Sequence, residues 1–547
     1  MYTFEIFVKR LKGNTILFIV SLFLVTLIFR SPSMLIDYYD VDVLAAIIQT
    51  QEYMSGDIPH ADFAISKKDL YHVPFRIAYK MSAEYGWVIV NFFGIIIVFL
   101  TSLFIYQTAK RVFSREAGIW AAFLYAILIS SFNRHFMALN GEVVFNLPVA
   151  ASLYFYVLFI QTAGKARFGH LAVSLLCGFM SYSIKFQGII PLLVIPFHLV
   201  IYKPWYENRF SIKYFLSLTS LASAGLVIFM ADYFFTGKFA PKIVSSVLGM
   251  AVYASGHGFN PAMYFGKIIH RNGFLFLWHF VLWAPAIIYF CSMARRRFRP
   301  ETAAETAVIV FALGYYALIY ASGQRIYFHY FMAVYPALAI LSAGALLYHK
   351  SALMEKIRAK ALVLLMIPAF FFLSWNYKDV VIRHFAPRAF YNEGIVLYWT
   401  RAVLVGTFDD YLLPGKAYIN AAGRIKNLTK PGDRIFVWGN GPYLYYFSER
   451  RMGSNTLWPK GTIDRIAEDY RKGTSESLAN ARSYEQGMID IMEKKKPVLF
   501  ADTSGNDFAY FDTPVTPLVS EYVNKNYEYI ETVDNIKLYL RKKQLSR

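Results

Sequence analysis

The chain has 547 residues, of which 56% are hydrophobic and only 17% charged, with a mean hydropathy of +0.37. Soluble domains carry about a quarter charged residues, so this composition excludes an ordinary soluble protein and specifies a polytopic membrane protein. The formal charge of +20 does not point to nucleic acid, because the lysines and arginines gather in alternate connections between apolar runs, where cytoplasmic loops carry them.

Runs long enough to cross a hydrocarbon core of about 30 Å occur about eleven times, near residues 14–30, 87–107, 117–132, 144–161, 170–184, 188–202, 214–235, 273–292, 303–321, 328–348 and 361–376. No small-residue cleavage site follows the first run, which therefore reads as a retained span. Lys9, Arg10 and Lys12 precede the first span, and further basic groups follow the second, fourth, sixth, eighth and tenth. That alternation predicts a cytoplasmic N-terminus and an external tail after Trp375. The remaining connections hold a different set: Asp40, Asp42 and Asp57, then Arg134, His135 and Glu142, then Lys185, then His257 and His270, then Arg325 and His329. Cys177 and Cys291 lie inside apolar runs and suggest neither a disulfide framework nor a metal set.

The first external connection begins Asp37-Tyr38-Tyr39-Asp40-Val41-Asp42. From Asp42 onward Val43, Ala46, Ile47, Thr50 and Tyr53 or Met54 recur at helical spacing, which predicts a helix lying along the membrane interface. One Asp at its start would serve as an N-cap. Further carboxylates there repel it and call for a partner: a cation, a metal, or a hydroxyl whose proton one of them takes.

The tail from about Tyr377 has mixed charge and turn signals. Short apolar runs at 434–439, 497–502, 527–533 and 536–540 read as strands, and 463–495 reads as helix. The expected fold is thus mostly α. Residues 1–376 form a membrane helix bundle whose first external loop, 31–86, carries interfacial helices, and 377–547 form a small extracytoplasmic α/β domain. Gly439-Asn440-Gly441 lacks the third glycine and acidic partner of a nucleotide loop and reads as a turn after a strand. Asn427-Leu428-Thr429 has the form of a glycosylation sequon.

The first loop continues Ser55-Gly56-Asp57-Ile58-Pro59-His60-Ala61-Asp62, then Ser66-Lys67-Lys68-Asp69. An acid, an amphipathic helix, a Gly-x-x-Pro-x-x-Asp segment and a Lys before a second helix resemble the first external loop of the GT-C glycosyltransferases, most of all the protein O-mannosyltransferase and lipid A aminoarabinose transferase group. Four later segments are similar to the family in the same order. They are Asn140-Gly141-Glu142-Val143; Gly178 to Gly188 with its Lys185; Gln324-Arg325-Ile326-Tyr327-Phe328-His329-Tyr330-Phe331 ahead of Tyr335-Pro336; and Pro431-Gly432-Asp433-Arg434-Ile435-Phe436-Val437-Trp438-Gly439. The chain departs from the family in lacking Pro-Pro after the loop lysine, in carrying Glu142 where Asp is usual, and in having fewer spans.

The resemblance implies an enzyme of a cell membrane, such as a bacterial inner membrane, whose donor is a sugar on a polyprenyl monophosphate and whose acceptor is a lipid, glycan or protein hydroxyl. Arg325, His329, Lys67 or Lys68, and Lys185 would hold the phosphate. Asp42 or Asp40 would act as general base, with Glu142 sharing the task. Tyr330, His135 and Arg134 are candidates for substrate contact, and Asp40, Asp42 and Glu142 are the set that would hold a divalent cation; no other cofactor is expected. The competing reading is a transporter or lipid-linked sugar flippase. Transporters place polar sites near the bilayer midplane between repeated halves, whereas here most polar residues fall at the outer rim and no internal repeat occurs.

Overall fold

The computed structural model describes residues 11, 13–35, 40–59, 62–63, 68–130, 134–206, 261–295, 302–321, 326–348, 365, 367, 369–374, 377, 416–439, 441–457, 459–507 and 516–542. The expected span near 214–235, together with Lys67, Arg325 and His257, lies outside the described residues, as do the side chains of Arg134 and His135.

Helices occupy the expected spans wherever they are described: Thr15–Arg30, Gly86–Val112, Arg115–Leu128, Gly141–Gln161, Ala166–Ile184, Ile190–Tyr206, Phe280–Arg295, Ala303–Ala321 and Tyr335–Tyr348. Among the described residues four stretches are long and apolar enough to cross a membrane by themselves. They are Gly86–Val112, Gly141–Gln161, Ala303–Ala321 and Phe328–Leu347. The last begins as a 3₁₀ segment, Phe328–Val334, and is almost wholly buried, so it runs through the middle of the bundle. The apolar run at 273–292 is not one helix. Pro261–Trp278 and Phe280–Arg295 are separated at His279, whose Nδ1 lies 2.9 Å from the Tyr335 hydroxyl. Apolarity alone does not reveal that side-chain bond, so the sequence reads the two helices as continuous.

The two helices of the first loop differ from each other. Asp69–Met81 buries Tyr71, Phe75 and Ala78 and leaves Val73, Ile77 and Met81 exposed in a stripe of four-residue spacing, as an interfacial helix should. Val41–Met54 does not lie along an interface with one face exposed. Val43, Ala46 and Ile47 enter the core of the bundle, while Leu44, Ala45 and Ile48 enter the core of the C-terminal α/β unit. The helical spacing picks out only the first face; a second apolar face at 44, 45 and 48 makes this helix a layer between two bodies.

In the C-terminal unit a five-stranded sheet has the order β2 (Arg451–Met452), β1 (Arg434–Trp438), β3 (Leu499–Asp502), β5 (Ile536–Arg541) and β4 (Tyr527–Val533). β1 runs parallel to β2 and β3, and β5 pairs antiparallel with β3 and β4. Alternation assigns the two faces. Ile435, Val437, Leu499, Ala501, Leu538 and Leu540 pack towards the Val41–Met54 helix, whereas Phe436, Trp438 and Phe500 pack on the helices Lys460–Lys472 and Ser475–Lys495. Those helices replace the single one expected over 463–495. Gly473, at φ +67°, ends the first, and the Thr474 side chain accepts from Ser477 N at 3.2 Å to cap the second. The two-residue β2 is too short for a periodic signal. Gly439, at φ +118°, turns the chain after β1 as expected. The Thr429 hydroxyl of the sequon donates to the Ile425 carbonyl at 2.6 Å and accepts from Arg450 Nε at 2.7 Å.

Candidate active site

Glu142 stands in the first turn of Gly141–Gln161 and is fully buried. Asn140 begins the helix by accepting from Gly141 N at 2.7 Å. The carboxylate meets a lysine delivered by a tight chain reversal. Ala166–Ile184 ends at Lys185 and the 3₁₀ segment Phe186–Ile189 follows. Gly188 presses against the preceding helix so closely that a Cβ would lie 2.2 Å from the Ser181 carbonyl, and Ser181 Oγ is 2.6 Å from the Gly188 carbonyl oxygen. This contact explains the glycine and leaves Lys185 at the tip of the reversal. Its stem lies over Gly141, its Nζ donates to Glu142 Oε1, and the ammonium is 5.1 Å from the centre of the Tyr330 ring.

His329 approaches the same carboxylate from the 3₁₀ segment, with Nε2 3.9 Å from Glu142 Oε1 and its ring stacked on Tyr327. Asn146 fixes that approach by donating to the Met332 carbonyl at 2.9 Å. Glu142, Lys185, His329 and Tyr330 are therefore brought together, and each comes from the end of its element. Glu142 Oε2 is buried and makes no hydrogen bond among the described residues.

The second acidic group lies at the start of Val41–Met54. Asp40 is the N-cap: its Oδ1 accepts from Asp42 N at 2.7 Å and Val43 N at 3.1 Å. Asp42 stands half-buried in the first turn of the same helix. Tyr71 connects the two acidic segments. Its buried hydroxyl donates to the Leu139 carbonyl at 3.1 Å, three residues before Glu142. Burial first, and then the charges of Asp42, Asp40 and Glu142, hold its phenol well above the ordinary range. Three carboxylates from two connections thus act on one phenol.

Lys68 precedes the Asp69–Met81 helix and sits 3.1 Å from the centre of the Tyr182 ring, three residues before Lys185 in the reversal. Burial pulls its ammonium down to about 7. Arg271, on Pro261–Trp278, is also buried, with its guanidinium 4.0 Å from the centre of the Phe328 ring beside His329. Arg30 ends the first span and is buried, donating from Nη1 to the Phe136 carbonyl at 3.0 Å and from Nη2 to the Met137 carbonyl at 2.6 Å, so it holds the segment that leads to Glu142. Tyr71, Arg271 and Arg30 were not selected from the sequence.

Asp40, Asp42 and Glu142 are not grouped as a ligand set among the described residues. Among the described residues no three His, Cys, Asp or Glu side chains group so as to hold an ion. Glu142 Oε1 is paired with Lys185 and Asp40 Oδ1 caps a helix.

An apolar helix bundle, a helical first loop, a C-terminal α/β unit and a set of carboxylates and cations at helix ends define a membrane-integral protein with a chemically built rim. Residues 75–231 match the family model described as dolichyl-phosphate-mannose-protein mannosyltransferase, a segment that holds Glu142 and Lys185 but neither Asp42 nor His329. Among solved structures, ArnT from Cupriavidus metallidurans bound to undecaprenyl phosphate is similar with a TM-score of 0.59 and 13% identity, over 96% of this chain and 98% of that one. The apo state of the same protein gives 0.58 and 15%, over 96% and 97%. The archaeal oligosaccharyltransferase AglB from Archaeoglobus fulgidus, in complex with an inhibitory peptide and a dolichol-phosphate, gives 0.52 and 12%, over 96% and 74%. No curated protein sequence matches the chain. The chain thus shares the fold of these membrane proteins over nearly its whole length, and the similarity to the mannosyltransferase family is confined to residues 75–231.

Proposed function

We propose that the chain transfers a sugar from a polyprenyl monophosphate to an acceptor hydroxyl at the outer membrane face, with Asp42 as general base. The observation that carries this reading is the convergence at helix ends of Glu142, Lys185 and His329, with Lys68 and Arg271 beside the same elements and Asp42 across Tyr71. In the reaction the acceptor O–H gives its proton to Asp42, the acceptor oxygen bonds the anomeric carbon, and the bond from that carbon to the phosphate oxygen breaks. The carrier changes from a phosphodiester with one negative charge to a monoester approaching two. Lys185, Lys68 and Arg271 stabilise the charge that develops, and Arg325 and Lys67 stay candidates for the same task. Glu142 holds Lys185 in place, and Tyr71 separates the acidic segments while remaining a neutral donor. A transporter reading gains no support from polar groups placed at helix ends on one rim.

Mass spectrometry of lipids co-purifying with the protein is expected to detect a polyprenyl phosphate or its glycosylated form, and added undecaprenyl phosphate should bind. A preparation that carries no such lipid and fails to bind it would remove the donor from this reading. The proposed orientation follows the charge alternation, with the bundle to residue 376 in the membrane and 377–547 outside. A reporter fused after Lys350 should therefore score cytoplasmic and one after Lys378 external; a cytoplasmic tail would put the rim on the wrong side.

A further inference from the structure

Two carboxylates of the first loop serve neither the bundle core nor the rim. Glu52 lies near the end of the Val41–Met54 helix, 3% exposed, and Asp57 follows it just after Gly56. Both meet the C-terminal unit. Glu52 Oε1 accepts from Met452 N at 2.7 Å, and its Oε2 is 3.3 Å from both Arg434 Nη1 and Arg451 Nη2. Asp57 takes Arg434 bidentately, at 2.7 and 3.0 Å, and Arg451 at 2.7 Å.

Neither half of this cluster is satisfactory alone. Arg434 and Arg451 are register partners on the parallel strands β1 and β2, which sets two guanidiniums side by side. Glu52 and Asp57 likewise set two acids together, one of them deeply buried. Burial pushes the Glu52 carboxyl above its ordinary range. For Asp57 the same effect is outweighed by Arg434, and its carboxyl is held below. Separating the two bodies would leave like charges adjacent and a carboxylate without its donors, which costs far more than breaking a surface pair. Leu44, Ala45 and Ile48 of the same helix pack into the unit's core alongside these charges. A helix is stiff over this length, and Asp42 lies ten residues, about 15 Å, before Glu52.

We propose that the C-terminal α/β unit positions the catalytic carboxylate: Arg434 and Arg451, gripping Glu52 and Asp57, set the placement of the helix whose first turn presents Asp42. The proposal rests on the reading of Asp42 as base and gives the unit a part in the active site. Arg434 and Arg451 are positioning residues in this scheme, since they act through the helix. Lys68, Lys185 and Arg271 are carried by other elements and keep their places when the cluster is broken.

The test uses the full chain in lipid nanodiscs, with Asp57→Asn and Arg434→Lys as cluster variants and Asp62→Asn as control. Asp62 accepts from Ile58 N at 3.0 Å within its own loop and meets the exposed Lys494 across the same interface at 3.2 Å. Hydrogen–deuterium exchange over residues 41–54 should quicken at least tenfold in Asp57→Asn and less in Arg434→Lys. Exchange over 86–112 and affinity for undecaprenyl phosphate, within twofold, should hold, as should exchange over 41–54 in Asp62→Asn. Turnover should fall at least tenfold with the donor KM unchanged. Unchanged exchange over 41–54 in both cluster variants would overturn the proposal, and so would a general rise in exchange with loss of lipid affinity, which would make the cluster a plain stabiliser. The Asp42 reading is tested separately by Asp42→Asn, so the two failures are told apart.

Discussion

Asp42→Asn should lower kcat by about 10² to 10⁴, the usual share of a general base, while binding of undecaprenyl phosphate stays within twofold. The two acids at the head of the Val41–Met54 helix are alike in sequence but have different surroundings. Asp40 Oδ1 is engaged by the amides of Asp42 and Val43, so Asp40 already has the task of starting the helix. Asparagine caps nearly as well as aspartate, so Asp40→Asn should be mild and Asp40→Ala should cost about 1 kcal/mol of stability. Asp42 faces a different environment, in which its charge reaches the Tyr71 phenol ahead of those of Asp40 and Glu142. The measurement is turnover with the donor identified from the co-purified lipid, compared between single and double amide variants. A double variant that transfers sugar at near the wild-type rate would return both residues to helix capping.

Much of this site is legible in the sequence because its residues fall where helices end. An acid opening a span, a lysine closing one and a histidine before Tyr335-Pro336 each break an apolar run and can be seen without coordinates. Partnership is less visible. The pairing of Glu142 with Lys185 depends on Gly188 packing against Ser181, a contact between backbones that a list of side chains does not suggest. Arg30 and Arg271 were passed over although a usable signal existed. Both stand on the side that the charge alternation assigns to the exterior, where basic residues are scarce, and both are buried against named partners. Asp57 misleads in the opposite direction. It lies in the loop that carries the acids, yet it is held by Arg434 and Arg451, nearly four hundred positions away, and no local pattern reports a contact at that distance. The same long-range packing explains why the Val41–Met54 helix looks interfacial from its spacing and is in fact a buried layer.

Binding of undecaprenyl phosphate should be tightest near pH 7 and weaken above it, by up to about tenfold per pH unit. The cause is Lys68, whose half-buried ammonium on the face of Tyr182 is pulled by desolvation from its ordinary 10.5 to about 7. Above about pH 7 the empty site therefore holds Lys68 mostly neutral. A phosphate beside it restores the charged form, so binding takes up a proton, and by linkage affinity falls as pH rises from about 7 towards 10.5. Tyr71, whose phenol is held well above its ordinary range, does not titrate in that window. On the acid side the phosphate monoester itself loses a charge near its second pKa of about 6, which gives the other limb. Lys68→Arg should flatten the alkaline limb, because a guanidinium stays protonated throughout. Lys68→Met should flatten it too and weaken binding at pH 7 by about 1.5 to 3 kcal/mol, the worth of a hydrogen bond to a charged group. Calorimetry in buffers of different ionisation heat reads the proton uptake directly, at close to one proton near pH 8.5 for the wild type and none for Lys68→Arg. Affinity that stays level from pH 7 to 9, or an alkaline limb that survives in Lys68→Arg, would take the phosphate away from Lys68.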